Sequence, residues 1–544
     1  MPLWPRAPRA GATARLPGRP AALQAHTDRR TPGILLDTGS LGQALSRVAG
    51  LALADRERSL FVVLGDGELQ EGQCWEAFQT VVQHNLTGLT VIVDCNGQQT
   101  AGPVSAVKRI ADLAAVGEGL GFSVREIDGS SPLELLACLS EPPARPRLLL
   151  ARTRKAGGSP LLLELAAAGR APGGWHSTVP DEATYLRLLE EQALASGDPD
   201  LVAELRQFLA RRVAPPLRPP AAKAGSTGAA FARELARLMT ERPDLVALDA
   251  DLAQPCGIDG FARAGHPFLE LGIAEQDMVG VAGGLALAGR LPVVHTYASF
   301  FKRAYDQLHG NGGLKVIYAG HYAGLCYHTD GKTHQSLADV SLFNTLPGMT
   351  VLDPATGWQA ARLLRWAVRG AAGPTYFRLR RTDLGLDAHP LLQACCPTPE
   401  ELRQEAGPAE LDRPLLLGPP DASRVFLVGG AVAARLALDC LARPEFAGWA
   451  ILLQSVYGPP PHLPSWREVL APRELVFVLE DDTGPGGLHA LLCTVLAATG
   501  LHPRVLWQHP AGLGPSFRNL PDCLEYHGFT PEHLRRRLRE ADGG

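Results

Sequence analysis

The chain has no uninterrupted apolar run of about 20 residues, so nothing in it reads as a membrane-spanning helix. It has no CxxC pair. Its ten cysteines follow no regular spacing and read as buried thiols in a reducing cytoplasm. It has no strong excess of either charge: the net charge is −4. That excludes an obvious polyanion-binding surface, and no nucleic-acid partner is expected. No acidic residue precedes Asp28, and residues 1–25 are rich in Arg, Pro and Ala. Their composition resembles a transit peptide; we read the stretch as a poorly ordered start. Lysine is scarce beside arginine, which we take as codon bias and not as function.

What is present is 544 residues with 46% hydrophobic content, enough for about three domains of an ordinary α/β protein. Apolar strands alternate with helical patterns over residues 26–212: Ser59–Leu64, Thr90–Asp94, Gly121–Ile127 and Arg147–Arg152. The pattern predicts a parallel, doubly wound domain. Residues 213–223 form a Pro-rich linker. A second α/β unit covers residues 224–392, with strands predicted at Leu245–Leu248, Pro292–Thr296, Val316–Ala319 and Met349–Leu352. A third covers residues 415–544, with strands at Arg424–Val428, Trp449–Leu453 and Leu475–Leu479 and a turn at Gly484-Pro-Gly-Gly487. The expected fold class is therefore α/β, three consecutive doubly wound domains.

One motif speaks to chemistry by itself. The apolar run Leu60 to Leu64 ends at Gly65-Asp66-Gly67-Glu68, and a second run, Leu89 to Val93, ends at Asp94-Cys95-Asn96. Thirty residues separate Asp66 from Asn96, about one β-turn-helix-β unit. Both would sit at carboxyl ends of neighbouring parallel strands, where α/β folds bind ligands. A carboxylate and an amide oxygen there supply part of an oxygen-only Mg²⁺ site, which phosphate oxygens and water complete. The expected ligand is a diphosphate held through a metal. The alternative is an Asp that merely caps the following helix.

The run GDGELQEGQCWEAF, the later LTVIVDCNGQQ, and TGSLGQALS (Thr38 to Ser46) together resemble the cofactor domain of the transketolase family. GIAEQDMVGVAGGLALAG, beginning at Gly272, resembles the pyrimidine domain of transketolases and deoxyxylulose phosphate synthases. The three domains then read as diphosphate-binding, pyrimidine and carboxyl-terminal. They look like a fusion of the two subunits of bacterial split transketolases, without the family's amino-terminal segment and its Ser-Gly-His-Pro-type motif.

The resemblance implies thiamine diphosphate with Mg²⁺, for which Ca²⁺ or Mn²⁺ can substitute. It implies metal ligands Asp66, Asn96 and Gln98. It places Gly39, Leu41, Gly65, Asp66, Gly67, Asn96, His176, Asp251, Ile273, Glu275, Tyr297 and Phe300 around the cofactor. Glu275 would hydrogen-bond the pyrimidine ring, a task suited to a partly buried carboxyl of raised pKa. Ile273 would wedge the cofactor, its β-branched side chain being stiff. Tyr297 and Phe300 would stack on the pyrimidine. Glu275, His334, His26 and His176 are the implied catalytic set. His26, His321, Asp330, His334 and Arg381 are the implied substrate ligands, with Arg381 gripping a phosphate. Glu71 and Glu76 match acidic residues linking two cofactor sites across a homodimer.

The implied activity is transfer of a two-carbon ketol unit from a ketose to an aldehyde, as sugars or sugar phosphates, through a ylide and an enamine. A synthase-like condensation of pyruvate is one alternative, suggested by Arg303-Ala-Tyr-Asp-Gln. A cofactor-binding homologue with little turnover is another. Two departures bear on the phosphate: Gly228 stands where the family usually has an Arg, and His328-Thr329 where Gly-Glu usually precedes Asp330.

Overall fold

The computed structural model describes all residues except 1–25, 28–35, 111, 169–174, 176–179, 212–224, 399–407, 458–460, 484–485, 518 and 543–544. The chain divides into two compact units. One is Leu41–Ala221 with Glu270–Ala274, and the other is Met1–Ser40, Ala222–Leu269 and Glu275–Gly544.

In the first unit the strands are β1 (Leu60–Gly65), β2 (Leu89–Cys95), β3 (Gln98–Gln99), β4 (Gly102–Pro103), β5 (Ser123–Asp128) and β6 (Arg147–Arg152). Four of them form a wholly parallel sheet in the order β1-β2-β6-β5. The helix Gly72–Gln83 connects β1 to β2 and buries Cys74, Ala77, Phe78 and Val81. That is the i, i+3, i+4, i+7 stripe of a helix lying on a sheet. Strand β1 is an edge. Leu60, Val62 and Leu64 are buried, while Phe61 and Val63 on its other face are 53% and 64% exposed.

The second unit holds two sheets. Strands β7 (Leu245–Asp249), β8 (Phe268–Glu270), β9 (Leu291–Tyr297), β10 (Ile317–His321), β11 (Thr350–Leu352), β12 (Thr375–Leu379) and β16 (Val456–Tyr457) run in the order β16-β11-β12-β10-β9-β7-β8. Strands β13 (Leu415–Leu417), β14 (Arg424–Gly429), β15 (Ala450–Gln454), β17 (Leu475–Leu479) and β18 (Arg504–Gln508) run in the order β13-β15-β14-β17-β18. Both sheets are mostly parallel, as nearly continuous apolar runs lead one to expect. Each carries one antiparallel edge strand, β16 and β13. Helix Thr227–Glu241 starts at Ser226, whose Oγ accepts from Ala229 N at 3.2 Å. Phe231, Leu235 and Leu238 of this helix enter the core of the seven-stranded sheet.

Strands β12 and β17 also meet in charge. Arg378 on β12 and Arg380 just past its end lie two apart and so point to one face. Arg378 donates to Asp339 Oδ2 and Asp353 Oδ2, both at 2.8 Å, and Arg380 donates to Asp353 Oδ1 and Asp481 Oδ1 at 2.8 Å. All five groups are buried. Such a cluster holds only because each charge is paired.

The apolar runs marked the principal strands to within a residue or two, with β6 and β17 matching at both ends. They did not mark β12, a central strand of the seven-stranded sheet, nor the shorter β3, β4, β8, β13 and β16, nor the edge strand β18. The cysteine reading needs correction: all ten thiols are free and six are buried, but Cys396 and Cys493 are exposed. Among the described residues, no helix is long and apolar enough to cross a membrane. The proposed linker, 213–223, lies outside the described residues.

Candidate functional site

In the first unit, β1 and β2 pair in parallel with Gly65 opposite Asp94. Asp66 and Asn96 therefore emerge at adjacent strand ends. Asp66 Oδ1 accepts from Gly67 N at 2.9 Å and Oδ2 from Gly97 N at 2.8 Å. Burial raises the Asp66 pKa, and the two backbone donors oppose that rise. Asn96 Oδ1 accepts from Gln98 N at 2.9 Å, and its amide donates to Asp94 Oδ2 at 3.1 Å. The helix-cap reading of Asp66 is thus present in the structure, but the second oxygen ties β1 to the loop after β2. Gln98 takes part through its backbone N–H.

Gly67 has no room to spare: a Cβ there would lie 3.2 Å from Gln99 Cβ and 3.5 Å from Ile273 Cδ1. Ile273 is fixed by its own N–H, which donates to Gln70 Oε1 at 2.8 Å. Gly65 N donates to Glu68 Oε2 at 3.2 Å, and Gly42 N to Glu68 Oε1 at 2.7 Å. Leu41 is 38% exposed. Glu71 is buried, whereas Glu76 is exposed.

In the second unit, Glu275 opens the helix Glu275–Leu287 and is buried. Its Oε2 has no hydrogen-bond partner, and the nearest cation, Arg303 Nη1, stands 3.6 Å away. Burial raises its pKa to about 7; the nearby Asp251 charge adds to that rise, and a backbone donor opposes it. Asp251 sits in the left-handed region at φ +62°, a conformation rare outside glycine and concentrated at functional sites. Arg303 also donates to Ser40 Oγ at 2.9 Å.

His26 and His334 stack with ring centroids 4.3 Å apart and planes within 5°. His26 Nε2 lies 3.8 Å from Asp330 Oδ2, and Tyr327 donates a short hydrogen bond to the same oxygen. Burial pushes the Asp330 pKa up, but the adjacent His26 imidazole and the Tyr327 hydrogen bond outweigh it and hold the carboxyl well below its usual range. Burial lowers the His334 pKa to about 4, and the His26 charge works the same way. His334 is therefore neutral at pH 7, with Nδ1 3.0 Å from Thr333 Oγ1. Gly39, at φ +112°, makes the stack possible. A Cβ there would come within 2.9 Å of His334 Cε1 and 3.0 Å of His26 Cγ.

Tyr297 and Phe300 lie beside this pair: Phe300 meets His334 edge-on at 5.2 Å, and Tyr297 at 6.2 Å. Tyr322 and Tyr327 complete the aromatic layer. The two tyrosines were not anticipated, although the aromatic-rich stretch after β10 carried a signal. His321 does not join the His26–His334 pair. It is buried, with Nε2 3.1 Å from His295 Nδ1, and burial lowers its pKa to about 3. Instead His321 and Arg381 line a cavity of about 340 Å³. His176 lies outside the described residues.

The fold and these sites define a class: parallel α/β units presenting oxygen ligands, a buried carboxyl and paired histidines at strand ends. The model of the transketolase pyrimidine-binding domain matches residues 223–386, and that of the XFP N-terminal domain matches residues 15–141. Human transketolase-like protein 2 is 26% identical over 541 residues, covering 94% of this chain and 81% of that protein. Human transketolase is 29% identical over 391 residues, covering 68% of this chain and 59% of that protein. The 1-deoxy-D-xylulose-5-phosphate synthase of Parafrankia sp. (strain EAN1pec) is 26% identical over 542 residues, covering 93% of this chain and 79% of that protein. The chain is thus similar to transketolases, with their pyrimidine-binding domain matched over residues 223–386.

Proposed function

We propose that this protein is a thiamine diphosphate-dependent transferase of transketolase type, moving a two-carbon ketol unit from a ketose to an aldehyde. The observation that carries the reading is Glu275: a buried carboxyl, its Oε2 without a hydrogen-bond donor, its pKa raised to about 7. A protonated carboxyl of this kind can share its proton with a ring nitrogen.

The residues present fit the cofactor the family implies. Asp66 and Asn96 would hold Mg²⁺ and through it a diphosphate, with Gln98 shaping the loop. Gly67, where a Cβ would crowd Gln99, and Ile273 would bound the cofactor's bend. When bound, thiamine diphosphate supplies a thiazolium ring that accepts the electrons of a cleaved carbon–carbon bond. Tyr297 and Phe300 would offer flat apolar faces to an aromatic ring. Neutral His334 would meet a substrate hydroxyl through Nε2. Asp330, ionised, would accept from another, and His26 would lie alongside. Arg381 and His321 would receive the anionic end of a substrate. A homodimer, with Glu71 at the contact, belongs to the same reading.

The test is calorimetric titration of the purified chain with thiamine diphosphate, with and without Mg²⁺. Binding that needs Mg²⁺ is expected. Equal binding without a divalent ion would remove Asp66 and Asn96 from the metal role, and no binding would leave a homologue without cofactor function. A second reading, a synthase acting on pyruvate, is favoured by the similarity to the Parafrankia enzyme over 93% of this chain. Release of carbon dioxide from pyruvate would decide for it.

A further inference from the structure

The exposed thiol of Cys493 does not stand alone. Cys493 lies on the helix Leu488–Thr499, which follows β17, outside every residue assigned above. His489, four positions earlier, shares its helix face. The His489 Nε2 lies 3.8 Å from Cys493 Sγ, within hydrogen-bond reach of a sulfur. The imidazole is also held by its ring face. It stacks on the Trp507 indole of β18, with centroids 4.3 Å apart and planes within 7°. Trp507 is fixed in turn: its Nε1 donates to Glu480 Oε1 at 2.7 Å, and Glu480 Oε2 accepts from Leu488 N at 2.6 Å. Glu480, just past β17, thus ties the indole to the first residue of the helix that carries His489 and Cys493. Nucleophile, base and orienting group form one chain of contacts.

Cys396, the other exposed cysteine, is the internal comparison. Its Sγ lies 3.7 Å from Pro397 O. Burial and the Asp387 charge both raise its pKa, which disfavours the reactive thiolate. At Cys493 a base stands ready instead. Burial lowers the His489 pKa, and the His509 charge works the same way. The imidazole is therefore neutral at pH 7, and in the tautomer protonated at Nδ1 its Nε2 keeps a lone pair for the thiol. We infer that Cys493 is a site of reversible thiolation, taking small disulfides with His489 as its base. In the step, the Cys493 S–H proton passes to His489 Nε2 while Sγ attacks one sulfur of the disulfide. A new S–S bond forms to Cys493 and the old one breaks. The leaving thiolate carries off the electron pair and takes the proton from the imidazolium. Cys493 is oxidised, and the released thiol is the reduced product. The pair needs no bound cofactor, so the site stands or falls apart from the transferase reading.

The test exposes the full, reduced chain to glutathione disulfide near pH 7 and follows the adduct at each cysteine by peptide mass spectrometry. The adduct on Cys493 is expected to form about tenfold faster than on Cys396, and dithiothreitol should remove it. Equal rates, or a faster Cys396, would overturn the inference. His489→Gln keeps a hydrogen-bond acceptor beside the sulfur but cannot take its proton. It should slow the Cys493 adduct about tenfold and leave the Cys396 rate at its wild-type value. Buried thiols that stay unmodified show that the variant is folded. A Cys493 rate that does not change in the folded variant would overturn the role of His489. Iodoacetamide, an uncharged electrophile, gives a second measurement on the wild-type chain. The same order of rates is expected. Loss of the Cys493 lead would show that the charge of glutathione disulfide, and not the His489 base, selects the site, and the inference would fall.

Discussion

Glu275 and Asp330 belong to the same unit and carry the same functional group, yet the protein moves them in opposite directions. Burial pushes both toward the neutral form. Glu275 meets no side-chain donor at Oε2, with Arg303 at 3.6 Å, and its pKa rises to about 7. Asp330 receives a hydrogen bond from Tyr327 and lies against the His26 imidazole, and its pKa falls. Hydrogen-bond donors, more than depth, decide which carboxyl can lend a proton and which can only accept one.

The largest way to break this contrast is Glu275→Gln. It should leave folding and most cofactor binding intact while slowing C2 proton exchange of added thiamine diphosphate by about 10²–10⁴-fold, the usual reach of a positioned acid or base. Exchange measured by NMR at the wild-type rate would remove Glu275 from its role. The contrast extends to the carboxyls of the buried Arg378–Arg380 cluster, where every charge has a partner. Arg378→Met strips three aspartates, Asp339, Asp353 and Asp481, of a donor and should cost about 3–5 kcal/mol in denaturant unfolding.

The pH dependence has a defined sign. Glu275 is raised above its ordinary value near 4.5, so the folded state holds the proton longer than the unfolded chain and stability falls as pH climbs from about 4.5 to about 7. Asp330 is lowered, so its contribution is present above its ordinary 3.8 and is lost as pH drops below it. Glu275→Gln should therefore be more stable than wild type at pH 8, with the gap closing by pH 5, as read from thermal midpoints. A constant gap would contradict the burial account. The smallest expected effect is Tyr327→Phe, which removes one donor from Asp330. A loss of about 1–2 kcal/mol and an upward move of the Asp330 titration by NMR are expected.

How much of this could be read from the chain depended on range. Arg147–Arg152 and Leu475–Leu479 were legible because a strand buried on both faces is a continuous apolar run whatever surrounds it. Asp66 and Asn96 were legible because their strands are sequence neighbours. Strand β16 was not, since two residues carry no period and Val456 finds Leu352 only across the fold. The pairing of His26 with His334 was also hidden. Resemblance named both residues, but only the left-handed Gly39 between them, more than 290 positions from His334, lets the rings stack.

Strand β16 has one more consequence. It comes from the segment that follows β15 in the five-stranded sheet, yet it closes the free side of β11 in the seven-stranded one. The pyrimidine-type fold thus borrows its last strand from its neighbour. A fragment ending before Val456 would present β11 as a bare parallel edge, a template for self-association. The two sheets are consequently expected to melt as one cooperative block, and an engineered cut between them should yield aggregation before it yields two working halves.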